Sequence, residues 1–300
     1  MALAPSDRIL EIRAGAMALG LVPDMGGSIA FARMGSMDLL RPLSAEAFAA
    51  RDILGVACFP MLPYANRIAG NEFEFDGTLH RVKPNLSNVR FNVHGSGWLA
   101  RWSVAARTRS SARLSLDHQD EDGPYSYHAE QIFTLSASGF EISTFMENRG
   151  RFRMPFGLGQ HPWMLRDDDV TVAFEATRFW LASPDGEAGE CITVPPELDF
   201  ARPRPLPSGW RDNCYGRWRG VFELCYPSRG FMLRAEADPL FGHLMFYADP
   251  SKPYFCLEPQ SNASCAFNQP QSRGEELGIV VLEPNQRLQG TVRFGVAFTA

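Results

Sequence analysis

Four short segments concentrate ionisable, rigid and aromatic residues of the kinds that carry acid–base chemistry. In Tyr254-Phe255-Cys256-Leu257-Glu258-Pro259-Gln260, Glu258 ends an apolar run. A carboxylate in such company is costly unless it is paired or hydrogen-bonded. Desolvation raises its pKa toward the range useful to a general base. In Gly157-Leu158-Gly159-Gln160-His161-Pro162-Trp163-Met164, Pro162 confines His161 to extended backbone. A rigid histidine, with its pKa near neutrality, suits a positioned acid–base role.

The other two segments read as recognition elements. Pro60-Met61-Leu62-Pro63-Tyr64-Ala65-Asn66-Arg67-Ile68-Ala69-Gly70 sets Asn66 and Arg67 between apolar residues. An arginine there either pairs with an acid or projects into a cleft, and its planar fork suits hydroxyl and carboxylate partners. Asn92-Val93-His94-Gly95-Ser96-Gly97-Trp98 places His94 beside glycines, on a turn where backbone can approach a ligand closely. Trp98 offers an apolar face of the kind on which sugar rings stack. A fifth stretch, Trp210-Arg211-Asp212-Asn213-Cys214-Tyr215, puts an acid among aromatics. Each segment taken alone also fits a structural role: an ion pair, a capped loop, a hydrogen-bonded core histidine or a surface turn.

Taken together and in order, the segments resemble the aldose 1-epimerase (galactose mutarotase) family. Asn66-Arg67-Ile68 through His94-Gly95, with Gly70, Phe73, Phe75, Gly77 and Asn85 between, resembles the family's Asn-Arg-Ile to His-Gly stretch. Gly159-Gln160-His161-Pro162-Trp163 is similar to its Gly-x-His-Pro-Tyr/Trp. Asp212-Asn213-Cys214-Tyr215 and Glu258-Pro259-Gln260, followed by Ala266-Phe267-Asn268, complete the order. The resemblance spans roughly residues 15 to 298. Trp163 and Tyr215 stand where members often have Tyr and Phe, and Ser96-Gly97 follows where many have another glycine.

The resemblance implies a large antiparallel β-sandwich, a supersandwich, with an open cleft on one face. It implies an isomerase that interconverts the α and β anomers of an aldose through the open-chain aldehyde. Glu258 matches the general base and His161 the general acid. Arg67 and His94 match residues that hold the ring region of the sugar, and Asp212 one that accepts from ring hydroxyls. Asn66, Trp98 and Trp163 join them as expected substrate-binding residues. No cofactor or metal is expected, since this chemistry needs neither redox, nucleophile nor ion. The sequence also lacks a P-loop, a Gly-x-Gly-x-x-Gly after a strand and a serine elbow.

Two rival readings remain at this stage. One is a non-catalytic sugar-binding module, which needs no paired Glu and His. The other is an epimerase or mutarotase for an anionic sugar, phosphorylated or sulfonated, which would need further cations; Arg90 and Arg101 lie near His94 in sequence. A metal-dependent cupin is weaker, because the six histidines are scattered and none forms a His-x-His pair.

The elements that must position these residues read as strands. Glu72-Phe73-Glu74-Phe75 alternates, and Asp76-Gly77 signals a hairpin returning through Leu79 to Val82. Ala112–Leu116, Ala129–Leu135, Phe140–Phe145, Ile279–Leu282 and Gln289–Val296 follow the same pattern. Helical periodicity is confined to a short stretch from Ser44 to Arg51, and 22 prolines suit many turns. The fold class is therefore all-β, expected as one domain over residues 1–300. The Pro195–Pro207 stretch is expected to be a long surface loop.

Composition narrows the partners. With 29 basic and 34 acidic residues interspersed, the net charge is −5 and no basic block occurs, so nucleic acid is not expected. The six cysteines form no Cys-x-x-Cys pair and read as buried free thiols. Asp7, Arg8, Glu11 and Arg13 interrupt the start of the chain, and no apolar run approaches 18 residues. The expectation is a cytoplasmic monomer or homodimer that meets a small-molecule sugar and no membrane.

Overall fold

The computed structural model describes residues 9–87, 89–182, 188–274 and 276–299. Asp7 and Arg8 of the interrupted N-terminal stretch lie outside them. The apolar alternations become strands. The Asp76-Gly77 hairpin joins Glu72–Phe75 to Thr78–Arg81, with both turn residues at positive φ. The short helix is Ala45–Ala50, capped by the Ser44 hydroxyl at Ala47 N. The Pro195–Pro207 stretch carries one 3-10 turn, Pro196–Leu198, and a two-residue strand, Arg204–Pro205. Among the described residues no helix is long and apolar enough to cross a membrane.

Two large antiparallel sheets carry the architecture. One has nine strands and includes Ser111–Gln119, Ser126–Ser136, Gly139–Asn148 and Arg287–Phe298 side by side. Its strands alternate buried and exposed residues, as a sheet with one wet face should. The other has eleven strands. At its centre Cys58–Met61, Gly159–Leu165, Tyr254–Gln260, His243–Ala248 and Arg211–Gly216 lie next to one another in that order. In the first four of these, nearly all residues on both faces are buried, which is why their sequences read as apolar runs rather than alternations.

The pleat sorts these central residues between two layers. Gln160, Leu257 and Phe255 face the nine-stranded sheet: Gln160 Nε2 donates to Thr144 Oγ1 across the sandwich at 2.9 Å, and the two apolar residues belong to the main core. The intervening residues His161, Trp163, Cys256 and Glu258 face the other way. There Cys256 and Trp163 join a second, smaller apolar layer with Phe59, Met61, Val93 and Trp98. Loops from residues 62–68 and 92–99 cover this layer and leave a cleft over the sheet.

Candidate active site

Glu258 and His161 meet at the floor of that cleft, which has a volume of about 180 Å³. Their strands are antiparallel neighbours, with Gly159 opposite Gln260 and Trp163 opposite Cys256, so position 161 falls opposite 258. His161 Nε2 lies 3.1 Å from Glu258 Oε1. The other atom of each group, His161 Nδ1 and Glu258 Oε2, is buried without a hydrogen-bond partner among the described residues. Burial raises the Glu258 carboxyl well above the usual range; the Asp212 charge adds to this and Arg67 opposes it. Burial pushes His161 down to about 3, with the Arg41 charge assisting. Both groups therefore favour their neutral forms. The imidazole is held flat by Phe59, stacked at 4.3 Å, and by Trp163 at 4.7 Å.

His94 comes to the cleft on a strained loop. His94 and Asn66 both have left-handed backbone, with φ of 59° and 63°. They fix each other: His94 N donates to Asn66 O at 2.8 Å, and Asn66 N donates to His94 Nδ1 at 3.1 Å. With Nδ1 accepting, the proton of the neutral ring is assigned to Nε2. Burial, then the neighbouring His161 and Arg67, hold His94 well below the ordinary histidine pKa, so the ring stays neutral. Gly95 makes the turn possible; its φ is +66°, and a Cβ there would stand 2.3 Å from Leu62 O.

Arg67 and Asp212 close one wall. Arg67 Nη2 lies 3.0 Å from Asp212 Oδ2, bringing together residues 145 apart in sequence. The Asn66 side chain is turned back to accept from Arg67 N at 2.9 Å, and Arg67 O accepts from Cys265 N. The pair joins the loop to the Arg211–Gly216 strand, with half-buried side chains still open to a ligand.

Trp98 departs from its expected place. It is fully buried, with Nε1 shared between Val93 O and Gly95 O at 3.1 Å each, and it stacks under Phe59 at 4.8 Å. A sugar cannot reach its face; it is the foot of a ring column that ends in His161, and it pins the His94 loop. Trp163 does line the cleft, with the Arg41 guanidinium 4.4 Å from its ring centroid. Met245 and Tyr247 also line it and carry no signal in the sequence reading. Met245 lies opposite Glu258 and Tyr247 opposite Asp212 in the sheet register. The Tyr247 hydroxyl makes no hydrogen bond among the described residues, and burial pushes its pKa up to about 12, so it remains a donor.

His94, His161 and Glu258 are also the one group of three potential metal-ligating side chains among the described residues, their atoms within 4.8 Å of one another. Sequence spacing does not foresee it, since the three come from separate strands and loops. The fit to an ion is poor. His94 Nε2 carries the ring's only proton, and His161 Nε2 is engaged by Glu258, so the donor set is arranged for hydrogen bonding. Arg90 and Arg101 line no part of the cleft: Arg90 lies over Phe91, and Arg101 pairs with Asp24.

Known proteins resemble this chain over nearly its whole length. A family model described as "Aldose 1-epimerase" matches residues 9–295. YphB of Escherichia coli K12, an uncharacterized protein, is 33% identical over 258 residues, 83% of this chain and 87% of its own. A crystal structure of a candidate aldose 1-epimerase from the same organism superposes with a TM-score of 0.89 at 28% identity, covering 97% of this chain and 99% of that one. A galactose mutarotase-like protein from Clostridium acetobutylicum shares the fold, with a TM-score of 0.85 at 18% identity over 99% of this chain and 98% of its own. The match over nearly the whole chain makes this protein a member of the aldose 1-epimerase family.

Proposed function

We propose that the protein is a mutarotase for a neutral aldose, with Glu258 and His161 as its acid–base pair. The observation that carries this reading is the 3.1 Å contact between His161 Nε2 and Glu258 Oε1 in a buried cleft, with an unpartnered atom on each group. A sugar's anomeric hydroxyl and ring oxygen are both bonded to C1, so a pair of groups in contact can address both at once.

In the reactive arrangement Glu258 is ionised and His161 protonated. This differs from the neutral pair by one proton shift along the existing contact. Glu258 takes the proton of the anomeric hydroxyl as His161 protonates the ring oxygen and the C1–O bond breaks. Rotation about C1–C2 presents the other face of the aldehyde. On reclosure the two protons return, and the pair is restored without net change. The neutral His94 Nε2–H and the Arg67 guanidinium supply donors for charge developing on oxygen. The roles of base and acid rest on the resemblance of the motifs around Glu258 and His161, while the contact itself supports a shared proton.

A neutral substrate follows from charge. Among the described residues the one arginine lining the cleft is Arg67, and Asp212 already pairs with it, whereas a phosphate or sulfonate calls for an uncommitted cation. The test is anomeric exchange by NMR on freshly dissolved pure anomers, neutral and anionic. Catalysis of neutral sugars is expected. Exchange of anionic sugars alone would overturn the substrate class, and binding without exchange would favour the sugar-binding module.

A further inference from the structure

Trp163 touches both the reacting imidazole and a cation. Its ring centroid is 4.7 Å from that of His161 and 4.4 Å from Cζ of Arg41. Tyr254 stands almost square to the indole, at 84° and 4.9 Å, and Arg41 Cζ is 4.6 Å from that ring too. The guanidinium therefore fills the corner between two aromatic planes, where both rings attract it.

Arg41 reaches this corner from outside the cleft, which it does not line. Pro42 confines it to extended backbone, and Arg41 N donates to Trp163 O at 2.9 Å. Arg41 Nη2 donates to Leu54 O at 2.5 Å and to Val56 O at 2.8 Å. Both acceptors are neutral carbonyls, and Nε is buried without a hydrogen-bond partner among the described residues. Burial pulls the guanidinium below the ordinary arginine pKa. A half-buried cation with neutral partners and an unmet donor is costly. An apolar side chain would fill the same corner at less cost, so the charge calls for a reason.

We infer that Arg41 is a positioning residue for ring opening: it clamps Trp163 at both main chain and ring, and Trp163 in turn holds the His161 imidazole against Glu258. The inference rests on the mutarotase reading of the cleft. Because His161 Nδ1 has no partner among the described residues, the ring's attitude is left to Phe59, Trp163 and the single contact of Nε2 with Glu258. A looser indole lets the imidazole tilt away from the carboxyl group. The residues expected to hold the sugar, Arg67, His94 and Asp212, are untouched by that tilt. The loss therefore falls on kcat and spares KM, since proton transfer depends steeply on the placing of its groups.

The test uses the full-length protein and NMR anomeric exchange of a neutral aldose over a range of concentrations. Arg41→Met keeps the length and the apolar stem and removes the charge and the donors. It is expected to lower kcat by about 10-fold and to leave KM within about twofold. Arg41→Lys returns a cation to the two rings and is expected to recover part of that loss. In a Trp163→Phe background, Arg41→Met is expected to cost less than about twofold further, because its route to His161 is already cut. A kcat within about twofold of wild type, a loss carried by KM, an Arg41→Lys protein no faster than Arg41→Met, or the same factor in both backgrounds overturns the inference. A thermal melt confirms folding; should Arg41→Met not fold, Arg41→Gln is read in the same cycle against the same limits. If the wild type turns over no sugar, the mutarotase reading fails, and the clamp is decided by the NMR signals of the His161 ring protons. A shift on Arg41→Met that disappears in the Trp163→Phe background supports it, and an equal shift in both backgrounds, or none, overturns it.

Discussion

Asn66 N–H points at Nδ1 of His94, and that one bond decides which end of the imidazole carries its proton. The cleft thus holds two histidines of different character. One is a fixed neutral donor, held on a loop by its neighbour's main chain. The other lies flat on Phe59 and touches a carboxyl group.

The acid–base pair makes the most direct prediction. Glu258→Gln keeps the shape and removes the base, and His161→Asn keeps a polar group and removes the titrating ring. Each is expected to slow ring opening by about 100-fold or more, measured by NMR anomeric exchange. The double variant is expected to be little worse than either single, since the two act as a unit. A folded Glu258→Gln protein within about threefold of wild type would refute the assignment.

The pH profile follows from the same contact. Adding a second proton to the pair creates a buried cation, and removing the shared one leaves a buried anion. Burial opposes both, lowering His161 to about 3 and raising Glu258. The acid limb therefore moves down and the basic limb up. We expect kcat/KM to be flat from about pH 5 to about pH 8. An inflection at the ordinary histidine value, about 6.5, would contradict a shared proton.

Stability should register the carboxyl separately. A group whose pKa is raised on folding stabilises below its unfolded pKa, and that stability is lost as pH rises through the folded value. Glu258 is such a group. Glu258→Gln, which never ionises, is expected to melt higher than wild type, by a margin that widens as pH rises. Melting curves across the pH range check this. A margin constant with pH would mean that the carboxyl is not raised.

Arg67 holds Asp212 at 3.0 Å on the cleft wall, with both side chains partly open to solvent. Arg67→Ala is expected to lower kcat/KM by about 10- to 100-fold while shifting Tm by only a few degrees, since one partly exposed contact in a chain of this size shifts it by about 2–4 °C per kcal/mol. Paired kinetics and melts measure the two effects. Normal kinetics would make the ion pair purely structural.

Gly95 offers a test of the loop. Gly95→Ala combines positive φ with a 2.3 Å approach to Leu62 O, and a cost of about 1–3 kcal/mol is expected, with loss of activity as His94 is displaced. Gly35→Ala is the control: φ is +62°, but nothing lies within 4 Å. It should cost less and leave activity intact. Equal effects on activity would show that the close approach does not matter.

Local chemistry made much of this legible from the residues alone. The Asp76-Gly77 hairpin, the Ser44 cap and the alternating strands of the nine-stranded sheet are set by near neighbours. Glu258 and His161 stood out because a carboxylate and a proline-locked imidazole are odd company for apolar runs. The order of strands was not legible, because pairing between Gly159–Leu165 and Tyr254–Gln260 depends on contacts a hundred residues apart. Tyr247 and Met245 were hidden for the same reason: His243–Ala248 reads as a plain apolar strand until its register against Asp212 and Glu258 shows which residues face the cleft. Trp98 misled because an indole beside a glycine turn looks the same in sequence whether its face is open or covered.

The alternation of the central strands also limits how this gene can drift. His161 and Trp163, Met245 and Tyr247, and Cys256 and Glu258 each lie two residues apart on a strand. Inserting or deleting one residue within any of these strands would turn its cleft-facing set into the sandwich and bring core residues out. Length changes can therefore accumulate in the hairpin connections, such as 249–253 between two of these strands, where the side-chain parity of the strands is untouched.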